Sequence, residues 1–136
     1  MGVGLQHVEA KGPEELEKAF VAMVRERAET LLVVGSSTHL VHRVKLAELA
    51  LKNRLPTMSN FREMVEAGGL MAYAINIMEF IGNAAVYVDK ILKGAKPADL
   101  PVEQPTTFER VINLKIARAL GITIPQSLLL SAVVFE

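Results

Sequence analysis

Residues 30–35 read TLLVVG, and SST follows at once. The run is aliphatic and rich in β-branched residues, with no polar alternation. Such a run reads as a strand of a parallel sheet covered on both faces. Ser36, Ser37 and Thr38 carry oxygens that cap a helix. A helical pattern then runs from about His39 to Asn53, with Leu40, Val44, Ala47 and Leu51 on its buried face. A buried strand that turns straight into a helix commits the chain to a β–α crossover. Parallel strands require such crossovers, and these are right-handed.

The same alternation continues on either side. LQHVEA (5–10) alternates as a half-buried strand does. Pro13, Glu14 and Glu15 suit a first helical turn. Leu16, Phe20, Met23 and Val24 recur at helical spacing up to about Ala28. LPTMS (55–59) is a short strand in which Pro56 marks an edge or lead-in position. Asn60 caps a brief helix, FREMVEAG, which Gly68 and Gly69 end. LMAYA (70–74) is the next strand. Residues 77–93 form the longest helix, and Gly94 stops it. FERVINL (108–114) is a further strand, Asn113 begins a short helix that ends at Gly121, and ITIP and SLLLSAV close the chain. The expected fold is α/β: a parallel sheet of about five strands with helices on both faces.

At 136 residues the chain suits one domain. Residues 1–76 are expected to form an α/β lobe. Residues 77–136 add a returning helix, a proline-rich strap, the last strand and a C-terminal helix to that same domain. Lys plus Arg and Asp plus Glu both number 15, so no basic field invites nucleic acid. Cysteine is absent, which excludes disulfides, thiolate metal sites and cysteine nucleophiles. The first residues lack the basic start and apolar core of a signal peptide, so the sequence as written is expected to stay in the cytoplasm.

In a parallel sheet, ligands bind outside the carboxyl ends of the strands. Three loops matter by that rule. GSST brings Ser36 and Ser37 to a helix N-terminus, suited to a carboxylate or simply to capping. SNFRE brings Ser59, Asn60, the Phe61 ring and the Arg62 guanidinium. Arg62 suits a bidentate pair with an acidic ligand, or an ordinary surface pair with Glu63 or Glu66. Tyr73 and Asn76 complete a polar wall, unless Tyr73 merely packs on the sheet. His39 and His42 are three apart, but no nearby carboxylate completes a metal set. No GxSxG elbow, P-loop or GxGxxG is present, so neither catalysis nor a cofactor is expected.

Between Lys93 and Lys115 the sequence reads KGAKPADLPVEQPTTFERVINLK, with Pro97, Pro101 and Pro105 inside nine residues. Prolines make such a connection extended and stiff. The wider stretch AAVYVDKILKGAKPADLPVEQPTTFERVINLKIARALGITIP resembles the C-terminal region of the substrate-binding proteins of ABC transporters. The type I periplasmic-binding-protein fold is implied, within the group related to proposed importers of tryptophan and other aromatic amino acids. Upstream, RVKLAELALKNRLPTMSNFREMVEAGGLMAY is similar to that family as well, and the likeness runs from about Leu5 to Pro125. It implies two lobes joined by crossing segments, a solute clamped between them, a permease partner and a periplasmic location. The N-terminal lobe has no counterpart in this sequence.

Two departures stand out. The family usually has a Tyr-Gly-Pro type turn where this chain has Tyr73-Ala74-Ile75-Asn76. The returning helix usually opens with charged residues, whereas here Met78, Phe80, Ile81, Val86, Val88, Ile91 and Leu92 surround it. An all-round apolar helix needs burial on several sides. A homodimer through helix 77–93 is therefore expected, with the strap leading across to the neighbouring chain. The functional expectation is a solute-binding module for a small organic acid or amino acid. A self-associating structural remnant is the alternative. An α/β enzyme of flavodoxin-like topology has no residue constellation behind it.

Overall fold

The computed structural model describes residues 2–136, apart from the side chains of residues 78–80. Met78 and Phe80, two of the apolar residues expected to surround the returning helix, therefore lie outside the described side chains. The elements run α1 (Pro13–Arg25), β1 (Leu31–Val33), α2 (Ser37–Val41), α3 (Arg43–Lys52), β2 (Thr57–Ser59), α4 (Glu63–Glu66), β3 (Met71–Ile75) and α5 (Ile77–Leu92). After the strap come β4 (Phe108–Asn113), α6 (Leu114–Leu120), α7 (Gln126–Leu129) and β5 (Ala132–Phe135).

The five strands form one sheet in the order β1-β2-β3-β4-β5. Three of the four pairings are parallel; β3 and β4 are antiparallel, with Tyr73 opposite Arg110. The strap therefore leads back onto the chain's own sheet, not across to a neighbour. It runs out and back beside α5, so β4 starts at the sheet end where β3 stops, with Phe108 opposite Ile75, and pairs antiparallel. Pro56 turns out to be a lead-in residue. Its carbonyl accepts from Leu31 N–H at 2.9 Å, and β2 lies inside the sheet.

The core lies on the face that carries Val33. Leu16, Ala19, Phe20 and Met23 of α1 pack there with Leu46, Ala47 and Ala50 of α3 and with Met64. Val65, Ala72 and Val111 form a second cluster under α4. Two sequence expectations fail in this layer. Residues 37–52 form two helices that meet at His42, which resets the helical phase. Ala47 stays inward, while Leu40, Val44 and Leu51 turn out and Leu46 and Ala50 turn in. The TLLVVG strand is covered on one face only, with Leu32 59% exposed on the other.

LQHVEA forms no ladder. Its alternation is nevertheless real: Gln6, Val8 and Ala10 are half-buried while His7 and Glu9 are exposed. Asn113 caps α6 as expected, accepting from Ile116 N–H at 3.1 Å, and Gly121 ends it at φ 75°.

Thr57 is 3% exposed, and its Oγ1 accepts from Leu70 N–H at 2.8 Å. Valine keeps the shape and removes the acceptor. A buried N–H left without a partner costs about 1–3 kcal/mol. Thr57→Val is expected to lower stability by that amount in urea titrations, with an unchanged m-value. An effect below 0.5 kcal/mol, taken as roughly the scale of surface changes, would show that water reaches Leu70 N–H.

Candidate functional site

The carboxyl ends of β1 and β2 sit side by side, because the register pairs Val33 with Ser59. One hydrogen bond joins the loops that leave them. Gly35 N–H donates to Asn60 Oδ1 at 2.8 Å. A Cβ on Gly35 would lie 2.6 Å from Asn60 Oδ1 and 3.1 Å from Phe61 Cδ1. Only glycine lets the amide and the aromatic ring approach the first loop this closely.

Ser36, Ser37, Asn60 and Phe61 therefore gather at one rim. Ser36 Oγ accepts from His39 N–H at 3.2 Å, so it is the N-cap of α2, and Ser37 is the first residue of that helix. The His39 ring is bound at Nδ1 to Val34 O, 2.8 Å away. The Phe61 ring is half-buried against the main core. Ser59 points inward: it is 1% exposed and its hydroxyl donates to Phe61 O at 2.8 Å. That bond bends the chain tightly after β2 and sets the direction of Phe61.

Arg62 is held elsewhere. Nε donates to Glu66 Oε1 at 2.8 Å and Nη1 to Glu109 Oε2 at 3.2 Å. The guanidinium also lies 5.4 Å from the centre of the Phe135 ring. The Glu66 hydrogen bond raises its already high pKa, burial opposes the rise, and the Glu109 and Glu66 charges add to it. The ordinary pair with Glu66, foreseen as the alternative, is what the structure contains. Glu109 and Phe135 extend it into a clamp across α4, β4 and β5.

Tyr73 stands on the opposite sheet face from Ala72 and Ala74. It stacks on Phe108 with centroids 5.2 Å apart and planes 12° apart. It packs on the sheet through Phe108 and stays exposed on that face. Asn76 lies at the root of α5 and lines a groove of about 890 Å³ between α5 and the strap. The groove was not foreseen. Asn83, Ala84, Tyr87 and Ile91 form one wall, and the prolines of the strap form the other. Tyr87 O–H donates to Pro101 O at 2.6 Å, which pins the strap to the helix. Desolvation, then Glu103, push the Tyr87 phenol above its ordinary pKa.

Of the residues missed, Gly35 had a faint signal as a glycine ending a buried strand. Phe108 and Glu109 had none, because their partners lie more than thirty positions away in sequence.

Three solved structures share this fold. A conserved domain protein from Vibrio cholerae superposes with a TM-score of 0.84 at 24% identity, covering 93% of this chain and 43% of that one. An ABC domain in complex with L-Trp from Streptococcus pneumoniae gives 0.82 at 30% identity, covering 93% and 44%. A ligand-free, open substrate-binding protein with adhesive properties from Clostridium difficile gives 0.66 at 21% identity, covering 90% and 41%. The chain spans less than half the length of the solved proteins it matches. No curated protein matches it. Residues 1–135 match the family described as ABC transporter substrate binding protein. With the sheet order, the strap and the rim at the strand ends all in place, the chain belongs to the ABC transporter substrate-binding protein family.

Proposed function

We propose that this chain is a solute-binding lobe that takes a small organic acid or amino acid at the β1–β2 rim, without catalysis. The Gly35–Asn60 bond is the observation that carries this reading, because it sets two capping loops and an aromatic ring side by side. The α2 N-cap loop, with Ser36 and Ser37, suits a carboxylate, and Phe61 suits an apolar or aromatic side chain. Ser59 and Arg62 shape the rim without touching the solute. Tyr73 and Asn76 are left out of the proposed contact set, because Tyr73 stacks on Phe108 and Asn76 lines the groove beside α5. The L-Trp in the pneumococcal structure, at 30% identity, favours aromatic amino acids as the first class to try. An ABC permease is the partner and the cell envelope the compartment that the family suggests. Among the described residues no helix is long and apolar enough to cross a membrane.

L-Trp, L-Phe and L-Tyr are expected to raise the melting temperature, with simple dicarboxylates as comparison. A solute at 100 times its Kd adds about 2.7 kcal/mol. A flat response across the whole set would sink this reading.

A specific observation supports a second reading. Ile77, Ile81, Val86, Val88, Ile91 and Leu92 of α5 are all exposed. Burying them against another copy would make the chain a self-associating module. The expected result is a dimer in sedimentation velocity that buries on the order of 2,000 Å². A stable monomer at micromolar concentration removes this reading and leaves the first intact.

A further inference from the structure

At the rim the side-chain acceptors already receive hydrogen bonds, and the side-chain donors do not give them. Asn60 Oδ1 takes Gly35 N–H at 2.8 Å, and Ser36 Oγ takes His39 N–H at 3.2 Å. Gly35 N–H is a donor, so the atom that meets it is the amide oxygen and Nδ2 is the other end of the group. The Nδ2 hydrogens of Asn60 have no acceptor among the described residues, nor have the hydroxyl hydrogens of Ser36 and Ser37. His39 Nδ1 lies 2.8 Å from Val34 O, a carbonyl, so Nδ1 carries the proton and the neutral ring keeps only an uncharged acceptor at Nε2. Residues 34–38, 60–62 and 76 leave the carboxyl ends of β1, β2 and β3, and none of them is Asp or Glu. Of the carboxylates close by, Glu63 begins α4, while Glu66 and Glu109 are held by Arg62. That clamp sets one guanidinium against two carboxylates in partly exposed side chains, where water screens the remaining charge.

We infer that the rim selects aromatic carboxylic acids that lack an α-ammonium group over the corresponding amino acids. The inference rests on the rim being the solute site and names the class of solute it takes. A free amino acid brings two opposite charges. Its carboxylate finds the Asn60 amide and the serine hydroxyls, and hydrogen bonds to an ionised group are the stronger kind. Its ammonium finds no anion there. A charge taken out of water without a counter-charge costs far more than a neutral group. An acid of the same skeleton keeps the carboxylate contacts and the Phe61 ring contact, and it has no ammonium to desolvate. An amine of that skeleton keeps only the unfavourable half.

The test is calorimetric titration of the 136-residue chain with indolepropionate, L-Trp and tryptamine. The first is L-Trp without its amino group and the last is L-Trp without its carboxylate, so the indole is common and only the charges differ. Indolepropionate is expected to bind at least about tenfold more tightly than L-Trp, a step of about 1.4 kcal/mol, and tryptamine is expected not to bind. Asn60→Asp keeps the size of the side chain and an acceptor for Gly35 N–H, and it turns the donor end into an anion. That variant is expected to lose the preference, because indolepropionate weakens by about tenfold or more while L-Trp does not. Should it fail to fold, NMR of the parent chain decides: the Asn60 side-chain amide signals are expected to move with indolepropionate and to stay with tryptamine. L-Trp binding as tightly as indolepropionate, with the Asn60 signals moving, would overturn the selectivity and leave the rim as the site, with Glu63 as the group to examine. An unchanged preference in a folded Asn60→Asp would overturn the role of the Asn60 amide. Binding that leaves the Asn60 signals still, or no binding by indolepropionate or L-Trp, would overturn the selectivity and the rim reading together.

Discussion

Replacing Phe20 with alanine is expected to cost about 3–5 kcal/mol, the range for removing a buried aromatic ring. Phe20 is 2% exposed and sits where α1 meets the sheet, among Leu16, Met23, Val33 and Leu46. Its neighbours in that cluster are apolar side chains, so truncation leaves a cavity among them. A domain of this size has about 5–15 kcal/mol in total. The variant should therefore unfold at much lower urea or not fold at 37 °C. Val21 is the control, since it is the next residue on the same helix and is 69% exposed. Val21→Ala is expected to stay within about 0.5 kcal/mol of the parent. Equal midpoints for the two variants would mean that α1 does not dock on β1 and that the main core is misassigned.

The same helix shows what can be read from a sequence of this kind. Pro13, the paired glutamates and the spacing of Leu16, Phe20 and Met23 are local signals, and the structure keeps all of them. Asn113 and Gly121 bound α6 for equally local reasons. The phase of residues 37–52 was not legible. It depends on the break at His42, which no proline or glycine announces. Nor does FERVIN encode its own direction. The antiparallel pairing of β4 goes with the path of the strap, which lies back along α5 with Tyr87 O–H donating to Pro101 O.

At the rim the division is similar. The capping role of Ser36 follows from residue type and neighbours. Arg62 shows the limit of such reasoning. Its i,i+4 partner Glu66 can be named from spacing, whereas Glu109, 47 residues further on, needs the fold. Tyr73 is oriented by a simpler rule. A strand alternates, Ala72 and Ala74 face the core, and the tyrosine between them must face away. The exposed aliphatics of α5 were visible in the sequence, and the groove beside them was not, because the strap forms its second wall.

Gly35→Ala is expected to remove the response to solute while leaving the lobe folded. The added methyl would stand 2.6 Å from Asn60 Oδ1 and 3.1 Å from Phe61 Cδ1. Both neighbours are side chains, so they can swing aside, and the backbone need not move. The swing breaks the Gly35–Asn60 bond, worth about 0.5–1.5 kcal/mol of stability, and takes the Phe61 ring off the rim. Where a saturating aromatic amino acid stabilises the parent by about 2.7 kcal/mol at 100 times its Kd, the variant should show almost none of it. Asn60→Ala removes the same bond without crowding the rim, so it should lose stability similarly and keep part of the solute response. Melting curves of the three proteins, with and without L-Trp, separate these outcomes. A full response in Gly35→Ala would move the binding site away from the β1–β2 rim. Loss of the folded signal without solute would mean instead that Gly35 is needed for the chain path out of β1.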